Sequence, residues 1–177
     1  MTQRITNQSI NRNLLAPTQF YFSVERLPYV TFFGQSAVLP GISIPSVAVG
    51  TPFTKIQRTG DHIAWDPFIV TFKVDEDLRN WQEIFNWMIG IGFPEKFEQY
   101  SELLNNTGSS ISPKGSPYSD GNILITNSNN VDTMRIEFQD IHPVKLSGLQ
   151  FETTAQGVDY ITATAEFEYT LYKVSRI

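Results

Sequence analysis

The chain contains no cysteine, which excludes a disulfide framework, thiolate metal sites and a cysteine nucleophile. Histidine occurs twice, at His62 and His142, too few for a histidine-rich metal site. Long apolar runs are missing as well. The longest, centred on Trp87 to Phe93, falls far short of the ~20 residues that cross a bilayer, so no membrane insertion is expected. Met1 to Asn13 is polar, rich in Asn, Gln and Thr, and has no apolar core of the kind a secretory signal needs. The expectation is a soluble protein made without export by the standard route. There is also no basic cluster: Arg and Lys are scattered singly and the formal net charge is −5. Nucleic-acid binding relies on grouped Lys and Arg that neutralise phosphates and release counterions. Specific DNA recognition is therefore not expected, although a surface that DNA passes without sticking to would share this composition.

What is present is alternation. From Val158 to Val174, odd positions read Ile161, Ala163, Ala165, Phe167, Tyr169 and Leu171, while even positions read Tyr160, Thr162, Thr164, Glu166, Glu168, Thr170 and Tyr172. Successive side chains of a strand point to opposite faces, so one face is apolar and the other wet. As one strand these residues would span roughly 50 Å at ~3.3 Å each, which suits the wall of an extended assembly better than a small domain. With 177 residues the chain reads as one domain, large enough to bury about 70% of its unfolded surface.

The remaining elements follow the same logic. Gln19 to Glu25 alternates as a half-buried strand, Leu27-Pro28 breaks it, and Tyr29 to Val38 reads as a second, closed by the turn Leu39-Pro40-Gly41. Ile42 to Asp61 is β-branched and apolar yet punctuated by Pro45, Pro52 and Gly60, which marks a peripheral hairpin or flap. Either another molecule covers it or it folds over its own barrel. Trp65 to Val74 is a strand. Asp75-Glu76-Asp77 then opens an amphipathic helix carrying Trp81, Ile84, Phe85 and Met88 at helical spacing toward the core, which Gly90, Gly92 and Pro94 stop. Pro94 to Asn106 is either a short helix or irregular, and Thr107 to Asn122 is a Ser/Gly/Pro-rich loop. Strands over Asn122 to Asn127, Asp132 to Ile141 and Val144 to Thr153 precede the terminal one. The fold class is mainly β, an antiparallel barrel or sandwich with one flanking helix.

No enzyme motif emerges. Lys114-Gly115-Ser116 lacks the spacing of a phosphate-binding loop. Glu166 and Glu168, two apart on one strand face, do not flank a cleft as glycosidase carboxylates do. Asp75-Glu76-Asp77 lacks the ligand spacing of a calcium loop, and neither histidine has a serine in a nucleophile elbow. No catalytic residue, metal or cofactor is expected.

The order Leu39-Pro40-Gly41, Pro52-Phe53, Gly60-Asp61, Val70-Thr71-Phe72 running into Val74-Asp75-Glu76-Asp77, and a Trp-bearing helix resembles the tail tube proteins of contractile-tailed bacteriophages. Downstream, Ile141-His142-Pro143-Val144, Leu146-Ser147-Gly148-Leu149 and Val158-Asp159-Tyr160 continue the likeness, which covers roughly residue 17 to the end. The residues themselves mark a polar arm over 1–16, the flap at 42–61 and the loop at 107–122, and the resemblance implies that 17–177 is a single tube-type barrel. It further implies a homohexameric ring, rings stacked into a hollow conduit for DNA ejection, tail sheath and baseplate proteins as partners, and a place in the virion tail after assembly in the host cytoplasm. Thr162, Thr164, Glu166 and Glu168 would then face the lumen, and six copies would carry six times the single chain's negative charge past DNA that is not held. Ile42, Ile44, Val47, Val49, Phe53 and Ile56 of the flap, with Ile10 and Leu14 of the arm, would meet the next subunit or ring. The 107–122 loop and the arm depart from the family's pattern, which leaves a tube initiator or terminator ring beside the repeating tube subunit. A type VI secretion-like injection tube is a further reading. A carbohydrate-binding sandwich stacking sugars on Trp65 is the reading from a different class.

Overall fold

The computed structural model describes residues 14–105, 116–152 and 160–177. In chain order the elements are β1 (Phe20–Val24), α1 (Pro28–Phe32), β2 (Gly34–Val38), β3 (Ile42–Ser43), β4 (Ser46–Gly50), β5 (Lys55–Thr59), β6 (Ala64–Trp65) and β7 (Phe68–Lys73). Then come α2 (Arg79–Gly92), α3 (Glu98–Asn105), β8 (Ser119–Thr126), β9 (Asp132–Leu146), β10 (Thr162–Glu168) and β11 (Leu171–Arg176). The main sheet runs β1-β8-β9-β10-β7-β2, with β11 also paired to β9, and every pairing is antiparallel.

The long strand β9 belongs to two layers. Its first part pairs with β8 on one edge and β11 on the other; its end pairs with β10. Between them Asp140 has φ 56, a left-handed conformation uncommon for a residue with a Cβ. The partner strands break or shift register beside it, between Ser119 and Gly121 and between Glu166 and Phe167. Bulges of this kind let a strand turn the corner from one sheet to the next. The two inner faces meet at Phe68, whose ring lies 5.2 Å from Phe22 and 4.7 Å from Phe138 across the layers. Val24, Val70, Phe72, Ile123, Ile136, Ile141, Ala163, Ala165 and Phe167 share this core, and α2 adds Ile84 and Trp87.

Four expectations change here. Tyr29 to Val38 is not one strand. Pro28 occupies the first helical turn, where a missing N–H costs nothing, and the three-residue spacing of Leu27 and Val30 puts both in the core. Only Gly34–Val38 is extended. Pro143 is no turn: β9 runs through it, since bending at Asp140 keeps it paired opposite Phe167. β9 ends at Leu146, and 147–152 is not strand; Thr153 lies outside the described residues. The 17-position alternation from Val158 likewise divides into β10 and β11 at Tyr169-Thr170, beside the same corner, where the Thr170 N–H donates to Gln139 O at 3.0 Å. The loop expected over 107–122 ends earlier, because Ser119 already begins β8; positions 107–115 lie outside the described residues.

The α2 helix forms where its periodicity placed it, but on a rotated face. Asn80, Ile84, Trp87 and Gly90 are buried, whereas Phe85 is 41% exposed and stacks on Trp81 at 5.2 Å. Asp75, Glu76 and Asp77 stand before the helix, not in its first turn. The buried Asn80 locks the entry instead. Its amide donates to Lys73 O at 2.7 Å, and its carbonyl accepts from the Asp75 and Trp81 N–H groups at 3.2 and 2.8 Å. Gly90 does not stop the helix. A Cβ there would meet Leu103 of α3 at 2.9 Å, so the glycine permits close helix packing. Within the segment Pro94 to Asn106, Glu98–Asn105 forms the helix α3, and Asn106 lies outside the described residues.

Candidate assembly surface

β4 and β5 form a hairpin that stands away from the core, every residue of both strands exposed. The register Val47↔Arg58 and Val49↔Ile56 puts those four side chains on one face; Ala48, Gln57, Ser46 and Thr59 lie on the other. Phe53 at the tip is 99% exposed, and Ile42 and Ile44 near the root are each over half exposed. An isolated two-stranded hairpin is marginal in water, and an unburied apolar face of this kind marks an association site. The flap does not fold back over its own barrel.

The root is held firmly. β3 pairs with β6 through Ile42↔Trp65 and Ser43↔Ala64, and the Gly60 N–H donates to Pro45 O at 2.8 Å. The Trp65 ring packs edge-on against Tyr172 at 4.9 Å and Tyr169 at 6.2 Å. The Tyr172 hydroxyl donates to Pro40 O at 3.2 Å, and that of Tyr169 donates to Asp66 O at 2.9 Å. The hairpin is thus clamped to the corner where β10 passes into β11. Trp65 is engaged in this clamp through two edge-on aromatic contacts. Sequence reasoning missed the clamp, because its two halves lie about a hundred positions apart.

Desolvation raises the Tyr169 hydroxyl from its ordinary 10.0 to about 12, with Tyr172 and Asp66 adding to the effect. Folding therefore favours the protonated phenol. Its contribution to stability is complete below pH 10 and is lost as pH rises toward 12. Alkaline denaturation should begin in that window, and Tyr169→Phe should flatten the pH dependence there. Tyrosinate absorbance followed alongside circular dichroism measures both; an unchanged alkaline profile would mean that Tyr169 does not contribute to the pH dependence.

Thr162, Thr164, Glu166 and Glu168 share the outer face of β10, opposite the buried Ala163, Ala165 and Phe167. The same face is not acidic. Register sets Lys145 beside Glu166 and Lys73 beside Thr162. The Lys145 ammonium donates to Glu166 Oε1 at 2.6 Å, and Lys73 Nζ lies 4.9 Å from the centre of the Tyr160 ring. Two lysines therefore balance the two glutamates, a pairing that only the β-register reveals. Leu14 is 95% exposed; Ile10 lies outside the described residues.

Among the described residues, no catalytic constellation is assembled elsewhere. A cleft of about 590 Å³ between α2 and α3 is lined by Arg26, Glu83, Trp87 and Glu102 among others. Its cation is already engaged: the Arg26 guanidinium lies over Trp87 and donates to Ser116 O at 2.7 Å. Among the described residues, no group of three His, Asp or Glu side chains could hold a metal ion. No helix among them is long and apolar enough to cross a membrane.

Two antiparallel layers joined through a bent strand, with helices against them and a projecting apolar hairpin, make up a tail-tube-like fold. The chain is similar to the tube-terminating cap of the anti-feeding prophage, with TM-score 0.59 at 14% identity over 98% of this chain and 99% of that one. It is similar to a sheath/tube terminator of an extracellular contractile injection system, with TM-score 0.57 at 15% identity over 94% and 99%. A chain of that system's sheath–tube complex gives TM-score 0.56 at 13% identity over 94% of both. Likenesses at such low identity establish the fold alone, and no protein-family model matches the chain. The sequence is more specific: it is 32% identical over 149 residues to the tail tube terminator protein of Enterobacteria phage T4, covering 82% of this chain and 78% of that protein. The chain belongs to the tail tube terminator family of contractile phage tails. It is a structural component of the tail and not an enzyme, and the terminator stands where the repeating tube subunit was the first expectation.

Proposed function

We propose that six copies of this chain form one ring that seats on the end of the tail tube and stops its growth. The observation that carries the reading is the β4/β5 hairpin, an apolar face on a rigid root with nothing of its own to cover. In this reading Val47, Val49, Ile56 and Phe53, with Ile42 and Ile44, press on the adjacent tube ring, and the surrounding sheath is the second partner. The outer face of β10 and β7, with Thr162, Thr164, Glu166 and Glu168, lines the channel through which DNA leaves. The action is passive: the ring sets tube length and leaves the bore open.

Negative-stain electron microscopy of the purified protein across a concentration series tests the ring. Single rings with a central hole that never lengthen are expected. Hollow rods of the protein alone would return the reading to the repeating tube subunit.

A further inference from the structure

We infer that the Lys145–Glu166 pair is a phosphate mask: Glu166 occupies an ammonium that would otherwise hold the DNA backbone against the channel wall. The inference rests on the lumen placement proposed above. Among the described residues the charged side chains of this sheet face are Lys73, Lys145, Glu166 and Glu168, with His142 paired opposite Glu168. A balanced face repels DNA far less than an acidic one, so two lysines per copy need another reason not to stick. Sixfold repetition makes the need acute, because weak phosphate contacts repeated around a ring act together.

The geometry supplies the reason. Glu166 is the more enclosed partner, its side chain 27% exposed, and Lys145 lies over it at 68%. The carboxylate sits within hydrogen-bond contact of the ammonium and is fixed by the strand, so a passing phosphate must compete with a partner already in place. A charge-assisted contact of this length is among the stronger hydrogen bonds. As an isolated surface pair it would contribute little to stability. Its value here lies in what it prevents. Lys73 is restrained differently, over the Tyr160 ring, and keeps its charge without a carboxylate.

The test compares variants of equal net charge. Glu166→Gln and Glu168→Gln each remove one negative charge, but only the first frees Lys145. Binding of a short fluorescent duplex DNA is followed by anisotropy at protein concentrations that form rings, over a salt series. Wild type and Glu168→Gln should show no retention. Glu166→Gln should bind, with log affinity falling against log salt by about 0.9 for each phosphate neutralised. Adding Lys145→Met to Glu166→Gln should abolish the binding. Equal behaviour of Glu166→Gln and Glu168→Gln would overturn the inference, showing bulk charge or a purely structural pair. DNA release from virions carrying Glu166→Gln separates the two claims. Slowed release supports both. Binding in solution with release at the wild-type rate would leave the mask standing and remove the face from the lumen.

Discussion

Replacing Phe68 with alanine should cost about 3–5 kcal/mol of folding stability, the range for emptying a fully enclosed aromatic site. Phe68 has no exposed surface and is the contact through which the layers meet, touching Phe22 of β1, Phe138 of β9 and, at 6.3 Å, Phe167 of β10. Three strands lose a shared partner at once, and the bent β9 cannot move inward without breaking its pairing to both layers. Domains are stable by only about 5–15 kcal/mol, so the loss is a large fraction of the total. Urea unfolding should show the midpoint fall with little change in slope. A loss below about 1 kcal/mol would mean that the layers close over the gap and that the packing derived from Phe68 is wrong.

The double change Val47→Asp with Val49→Asp should do the reverse, sparing the fold and abolishing association. Both side chains are on the exposed hairpin face, 58% and 48% accessible, and neither touches the core, so stability should stay within about 0.5 kcal/mol of wild type. At an interface, each buried valine contributes on the order of 1.5 kcal/mol, and a buried unpaired carboxylate costs more. Two sites per copy, repeated around a ring, should move tube attachment out of any accessible concentration range. Sedimentation of the variant with tube fragments, beside its melting curve, measures both sides. Undiminished attachment would mean that the hairpin is not the seat.

Where the sequence speaks locally, it was legible. The strand at Phe68–Lys73 and the helix at Arg79–Gly92 follow from periodicity, and the proline-punctuated flap announced a hairpin on the periphery. What it hid was long-range. The single alternation after Val158 could not disclose a break at Tyr169, since the corner is imposed by Asp140 on another strand. Pro143 looked like punctuation because the compensating bend lies three residues earlier. The polar face of β10 looked acidic because Lys145 and Lys73 reach it only through register with β9 and β7. The buried face of α2 was misjudged at Phe85, a ring that finds Trp81 on its own helix instead of the core.

The proposed terminator ring should end a tube and not extend it. The most direct measurement adds the purified protein to tube subunits elongating from a seed and follows tube length by electron microscopy, with the protein marked by gold at a tag. Growth arrested in proportion to the added protein, with label confined to tube ends, is expected. Label distributed along tubes that keep growing would contradict it.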